Sequence, residues 1–204
     1  QRGLMARGPS RMLAALRLSG ALGAVLPEVA ALFGVPQLGA DQRSVDIGLH
    51  TLNALAEAGR CEAPLDVRFA LLVMNVGKSD SPPEHLPVHY RHIERGGPRI
   101  EAICARFGVP AACRELALLA LAECERVHRV SEVRAGPVAA MLERLGAFGR
   151  PERFEALMQV CACDYRAHGE GFGPVYPKAE LLYTALRACR EVASDADDLD
   201  LARA

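Results

Sequence analysis

The chain has no tryptophan and only six phenylalanines and four tyrosines in 204 residues. A core so poor in large aromatics is left to Leu, Ala and Val, and that supply favours helices over sheets. No alternation of apolar and polar residues runs long enough to build a sheet, and no internal repeat is visible. No apolar run reaches the roughly 20 residues of a membrane span, and charges are interspersed throughout, so a soluble, cytoplasmic protein without a membrane partner is expected. The net charge of −1 excludes a bulk basic field, which leaves any RNA contact to a local patch. The start, Gln1-Arg-Gly-Leu-Met5, lacks both the long apolar core of a signal peptide and an initiator Met at position 1; it reads as a fragment or processed form.

What is present is helical. The seven cysteines, at 61, 104, 113, 124, 161, 163 and 189, are odd in number and sit inside helical patterns, as small buried residues of a reducing compartment do. Apolar spacing and Gly/Pro punctuation predict helices over 10–19, 45–58, 65–76, 88–107, 110–130, 136–147, 151–168 and 177–193. Phe33 to Ser44 and Lys78 to Pro87 read as loops. The expected fold is a single all-α bundle of about eight helices organised around the apolar 65–76 helix. Residues 1–40 form an N-terminal helical segment and loop, 41–193 the helical domain, and 194–204 an acidic tail that frays.

Several polar residues stand out against this background. His50 lies on a largely apolar helix, where a metal ligand and a hydrogen-bonded core histidine are both readable. Asp164, in Cys161-Ala-Cys-Asp-Tyr165, either faces His50 or pairs with a neighbour such as Arg166. Cys161 and Cys163 suggest zinc, but residues two apart on a helix point in different directions, and no second Cys pair at ligand spacing accompanies them. Gly77-Lys78 reads as a helix C-cap glycine followed by a lysine favoured at the helix's negative end, and equally as a phosphate-binding corner. His89, Arg91, His92 and Arg95 fall at helical spacing, as a phosphate patch or a polar outer face. Arg126, His128, Arg129 and Arg134 add local positive charge, and Tyr90 is a single aromatic that could stack a base.

The frame of Ala70-Leu-Leu-Val-Met-Asn-Val-Gly-Lys78 resembles the metal helix of HD phosphohydrolases, which reads A-L-L-H-D-L-G-K. Further blocks in the same order include Leu26-Pro-Glu-Val-Ala-Ala-Leu-Phe-Gly-Val-Pro-Gln37, Asp46-Ile-Gly-Leu-His50, His89-Tyr-Arg-His92-Ile-Glu-Arg-Gly96, Arg150-Pro-Glu-Arg-Phe-Glu155 and Tyr176-Pro177. Together they make almost the whole chain similar to the C-terminal HD half of the bacterial multifunctional tRNA CCA-adding nucleotidyltransferases. No counterpart of the nucleotidyltransferase head, with its glycine-rich turn and paired carboxylates, is present in this chain. The resemblance implies an all-helical, metal-dependent phosphohydrolase acting on 2′,3′-cyclic phosphodiesters, 2′-nucleotides and phosphomonoesters. Its first metal-binding His falls on His50, its His-Asp pair on Met74 and Asn75, and its last Asp on Asp164. A Met thioether has little affinity for Mg²⁺ or Mn²⁺, and Asn offers only a neutral amide oxygen. The family's His-His reads His89-Tyr90, and its Tyr-His-Thr-His-x-His reads Glu123-Cys-Glu-Arg-Val-His128. Asp→Asn is also the relief expected after metal loss, since an uncompensated buried carboxylate costs several kcal/mol.

The function expected from these readings is an HD-related domain with a degraded metal site, acting as a structural, tRNA-binding or partner-binding module without a cofactor. Lys78, Arg91, Arg95 and Arg129 are its candidate phosphate or RNA contacts. The alternative is an active phosphohydrolase using His50, Asp164 and groups recruited from Asn75, His89, His92 and His128 around a Mg, Mn or Ni ion, with Lys78 as a further catalytic candidate. A third reading is a nucleotide or anion sensor working through Lys78 and Arg95. Oligomeric state is left open.

Overall fold

A computed structural model describes residues 1–39, 43–132, 134–169, 173 and 175–201, with the backbone alone described at 132, 135 and 193–201. Ten α-helices are seen among these residues: α1 (Pro9–Leu18), α2 (Ala21–Val25), α3 (Pro27–Ala30), α4 (Ile47–Arg60), α5 (Leu65–Val73), α6 (His92–Phe107), α7 (Ala111–His128), α8 (Ala135–Leu145), α9 (Pro151–Arg166) and α10 (Pro177–Leu201). The all-α expectation holds, and the helix count exceeds the expected eight. The two additional helices are α2 and α3, single turns started at Gly20 and Pro27, too short for periodicity to reveal. The sheet expectation also needs correction. Inside the expected 33–44 loop, β1 (Pro36–Leu38) pairs antiparallel with β2 (Ser44–Asp46), Gln37 opposite Val45. The loop tip, residues 40–42, lies outside the described residues. At the other end, the backbone of 194–201 continues α10, and residues 202–204 of the expected tail lie outside the description.

Asp46 explains why the ribbon ends where α4 begins. Its Oδ1 accepts from the Leu49 amide at 2.9 Å as an N-cap, and its Oδ2 accepts from the Gly34 amide at 2.6 Å. One carboxylate thus joins the helix start to the turn before the ribbon. The core is centred on α5, where every residue from Val67 to Val73 is buried, against α4, α7 and α9. Leu55, Leu71, Phe154 and Leu157 are among its fully enclosed side chains, each contributing about 1.5–3 kcal/mol by leaving water. Arg68 is also buried. Its guanidinium donates to the carbonyls of Ala63 (2.6 Å), Leu4 (2.7 Å) and Ala6 (2.9 Å), tying the N-terminal segment to α5.

α5 ends three residues earlier than expected, and the chain turns tightly at Val76–Lys78. Gly77 is not a left-handed cap there. A β-carbon on it would lie 2.0 Å from the His92 carbonyl oxygen and 2.6 Å from the Gly96 amide nitrogen, so glycine is required by the close approach of the turn to α6. Arg95 and Arg99 of α6 then clamp the turn, donating to the Gly77 and Val76 carbonyls at 3.0 and 2.8 Å and pairing with Asp80. α6 begins at His92 rather than at 88, because Arg91 takes a left-handed conformation (φ 57°) that breaks the run. His89 and Arg91 are therefore on a loop rather than on a helix with His92 and Arg95.

Gly77→Ala should destabilise the domain by about 3 kcal/mol or more through overpacking, measured by urea denaturation. Gly97→Ala, one residue beyond Gly96 and with nothing within 4 Å of its added carbon, should instead raise stability by up to about 1 kcal/mol.

Candidate functional site

Five of the six histidines gather at one place. A cavity of about 580 Å³ is bounded by β1 (Gln37), the end of α5 (Met74, Asn75), the following turn (Lys78), the 87–90 loop (His89), α6 (His92), α7 (Glu125, His128), α9 (Asp164) and the segment beyond (His168, Tyr176). Its floor is the Asp164 carboxylate. His50 Nε2 lies 2.9 Å from Oδ1 and His128 Nε2 lies 3.0 Å from Oδ2. The two imidazoles are brought in by α4 and α7, the helices that pack on α9. The His168 ring stacks at a tilt on His50, centroids 4.5 Å apart, and the Tyr176 hydroxyl is 2.7 Å from His128 Nδ1.

The electrostatics follow from this bracketing. Burial would raise the Asp164 carboxyl, but His50 and His128 outweigh it and hold it well below its ordinary 3.8. Burial would likewise lower His128, but Cys124 and Asp164 raise it to about 10. The Cys124 thiol, paired with Cys161 and buried, is itself pushed well above 9; it is neutral at pH 7, and the Asp164 carboxylate is what keeps the proton on His128. Burial pushes the Tyr176 phenol far upward, so the hydroxyl keeps its proton beside His128 Nδ1.

No family model matches the chain. It is 40% identical over 202 residues to a multifunctional CCA protein of Nitrosospira multiformis and 42% identical over 193 residues to one of Halorhodospira halophila. A third, from Cupriavidus necator, is 40% identical over 191 residues. These matches take in 94–99% of this chain and 46–49% of the relatives, so the chain spans about half the length of the curated relatives it matches. The chain is homologous to one half of the multifunctional CCA proteins. The match is consistent with their C-terminal half.

Within this CCA-related domain, the structure sorts the residues singled out in the sequence. His50 and Asp164 meet, whereas Arg166 pairs with Glu57 at 3.5 Å. Met74 and Asn75, only 5% and 7% exposed, line the cavity beside Asp164. Lys78 is buried, its Nζ 2.8 Å from Glu125 and 3.0 Å from Gln37 Oε1. His89 Nε2 donates to the Pro36 carbonyl at 3.0 Å and Nδ1 meets Ser81 Oγ at 2.7 Å, so one ring nitrogen ties the loop to β1 and the other to the segment after the Val76–Lys78 turn. Burial lowers the pKa of His89 and of His92. His92 Nδ1 donates to the His89 carbonyl at 2.8 Å, and Nε2 stands 3.7 Å from Glu125. Arg129 lines the cavity at the end of α7. Arg91 is exposed and paired with Glu94, and Arg95 is committed to the turn; neither lines the cavity. His168, Cys124 and Glu125 received no role in the sequence reading. Cys124 and His128 at i, i+4 were a usable signal, while His168, beyond the end of α9, carried none.

The donors at positions 50, 74, 75 and 164 do not fit a hard divalent ion. They comprise one imidazole, a thioether, a neutral amide and one carboxylate already met on both oxygens, where Mg²⁺ or Mn²⁺ favours carboxylate, carbonyl and water oxygens. What this arrangement does chemically is stabilise a buried anion with two imidazoles and present Lys78, His92 and Arg129 to the cavity.

Asp164→Asn should cost about 3–5 kcal/mol in urea denaturation, because it leaves a buried imidazolium without its counter-charge; a loss below about 1 kcal/mol would show that the pair does not hold α7 to α9. Glu125 offers a pH test. Burial raises its pKa, but Lys78 more than offsets that and leaves it below 4.5. Its contribution is present above that value and fades as pH falls through the folded one. The melting temperature of Glu125→Gln should accordingly drop less between pH 5 and pH 3 than that of the unaltered chain.

Proposed function

We propose that this domain is a CCA-protein-related helical module whose hard-metal phosphohydrolase site is degraded, and that it holds tRNA or another phosphate-bearing partner at the cavity mouth. The observation that supports this most directly is the convergence of positions 50, 74, 75 and 164, the family's four ligand positions by resemblance, on one cavity whose donors no longer suit the ion. Met74 and Asn75 face the same space as Asp164, and imidazoles supply the compensation that a cation would otherwise provide. The shape is kept while the hydrolytic donor set is not.

Binding fits what remains. Lys78, Arg129 and Lys178 line the cavity together, with His92 as a further polar group. Glu125 partly neutralises Lys78, so an arriving phosphate competes with a carboxylate for the ammonium, and moderate, salt-sensitive affinity is expected. Arg91, exposed outside the cavity and paired with Glu94, would add an outer contact, whereas Arg95 acts on the fold. One observation favours the second reading, an active hydrolase with displaced ligands: the ligand atoms of His50, Asp164 and His168 lie within 4.8 Å of one another.

Two assays on the same preparation separate these readings. The module should bind tRNA with log Kd rising against log salt, and the Lys78→Ala/Arg129→Ala double variant should flatten the slope by about 1.4–1.8, the equivalent of two phosphates. Hydrolysis of 2′,3′-cyclic AMP should not rise above the blank with Mn²⁺, Ni²⁺ or Mg²⁺. Metal-dependent turnover abolished by His50→Ala would replace the module with the hydrolase; salt-independent tRNA affinity would remove the phosphate contacts from the proposal.

A further inference from the structure

Asp164 also has a sulfur side, reached through His128 and Cys124. α7 carries Cys124 and His128 one turn apart, at i and i+4, and α9 carries Cys161 and Asp164 one turn apart, at i and i+3, so each helix turns two donors toward the other. Cys124 Sγ lies 3.4 Å from His128 Nε2, and His128 Nε2 lies 3.0 Å from Asp164 Oδ2. Cys161 Sγ stands 3.5 Å from Cys124 Sγ. The donor atoms of Cys124, His128 and Asp164 all fall within 4.8 Å of one another. Cys163, two residues from Cys161, points instead to Cys61, its Sγ 3.7 Å from that sulfur.

We propose that Cys124, His128 and Asp164 form a site for a thiophilic divalent ion of the zinc class, with Cys161 beside it. A tetrahedral zinc ion binds sulfur at about 2.3 Å and nitrogen or oxygen at about 2.0–2.2 Å, which sets its ligand atoms roughly 3.2–3.8 Å apart. The observed 3.4 and 3.0 Å separations are near that range, and the remaining pair lies within 4.8 Å. One sulfur, one imidazole and one carboxylate suit Zn²⁺ or Co²⁺ and disfavour Mg²⁺ and Ca²⁺. All three donors sit among buried or half-buried residues of the cavity wall.

The outer shell has the expected form. Metal-bound histidine usually engages its other ring nitrogen with a hydrogen-bonding partner, and a metal-bound carboxylate usually receives a hydrogen bond on its second oxygen. Here His128 Nδ1 meets the Tyr176 hydroxyl at 2.7 Å, and Asp164 Oδ1 meets His50 Nε2 at 2.9 Å. The fourth position opens toward the cavity that all three donors line. On binding, the ion displaces the thiol proton of Cys124 and the Nε2 proton that His128 shares with Asp164; both leave to solvent and no redox change occurs. The inference rests on the proposed loss of the hard-ion donor set only in taking Asp164 to be available to sulfur-liganded metal, and it makes no use of Lys78 or Arg129.

The test is Co²⁺ titration of the chelator-stripped full chain followed by optical absorption. One equivalent should give the thiolate-to-cobalt charge-transfer band and the strong visible bands of tetrahedral cobalt, both bleached by Zn²⁺, and Zn²⁺ should raise the melting temperature. Cys124→Ser should abolish the charge-transfer band and weaken binding at least 100-fold, Cys163→Ser should leave both unchanged, and His50→Gln should weaken binding about 10- to 100-fold as an outer-shell partner does. No cobalt uptake by the unaltered chain overturns the proposal, independently of how any variant folds. Uptake without a sulfur band, lost on His50→Gln, also overturns it and places the ion on His50, His168 and Asp164. The tRNA assay run in chelator is untouched by any of these outcomes, so the two proposals fail separately.

Discussion

The buried carboxylate of Asp164 is the constraint around which the site is arranged. An ionised group almost out of contact with water is tolerable only with a counter-charge and hydrogen bonds on both oxygens. Those partners come from α4 as His50 and from α7 as His128. Because α4 and α7 also flank α5 in the core, the electrostatic requirement of one residue on α9 and the packing requirement of the central helix fix the same relative placement of four helices. The cavity is the space left above that junction.

A second, purely steric requirement closes the other side. Gly77 must meet α6 backbone to backbone, and the Arg95 and Arg99 clamps hold the turn there. That contact directs Lys78 back into the cavity, where a buried ammonium needs Glu125 and Gln37. The side chain most plainly suited to anion binding is thus positioned by a glycine one residue away. His89 extends the same scaffold to the ribbon, since its two ring nitrogens bridge Ser81 and the Pro36 carbonyl.

How much of this was legible depended on the range of the signal. The long helices were visible because their apolar faces repeat over several turns, and the pairing of position 50 with position 164 followed from ordered blocks that span most of the chain. Short-range features were hidden. α2 and α3 are too brief for periodicity, the ribbon is stabilised by three residue pairs and an N-cap carboxylate, and the left-handed Arg91 that splits the 88–95 segment has no compositional mark. Gly77 was noticed for a conformational reason and is needed for a steric one. The His89–Arg95 group was read by helical spacing, yet tertiary bonds assign its members to different duties: His89 to the ribbon, Arg95 to the turn, and His92 to the cavity.

The substitutions at 74 and 75 become intelligible as a charge balance inside a dry site. Where the family resemblance assigns two carboxylates, at 75 and 164, this chain retains one, and where it assigns an imidazole at 74 it has an apolar filler that packs into the core. Restoring only the carboxylate at 75 would place a second anion near Asp164, with the compensation of His50 and His128 already engaged. Asn75 keeps nearly the volume of aspartate and removes that charge, and Met74 fills the space without asking for a hydrogen-bond partner. Asp164 can remain ionised because two imidazoles stand within 3.0 Å of its oxygens. The site is therefore a charge-balanced arrangement of its own, one carboxylate held between two imidazoles, with a thiol beside the imidazole on the α7 side.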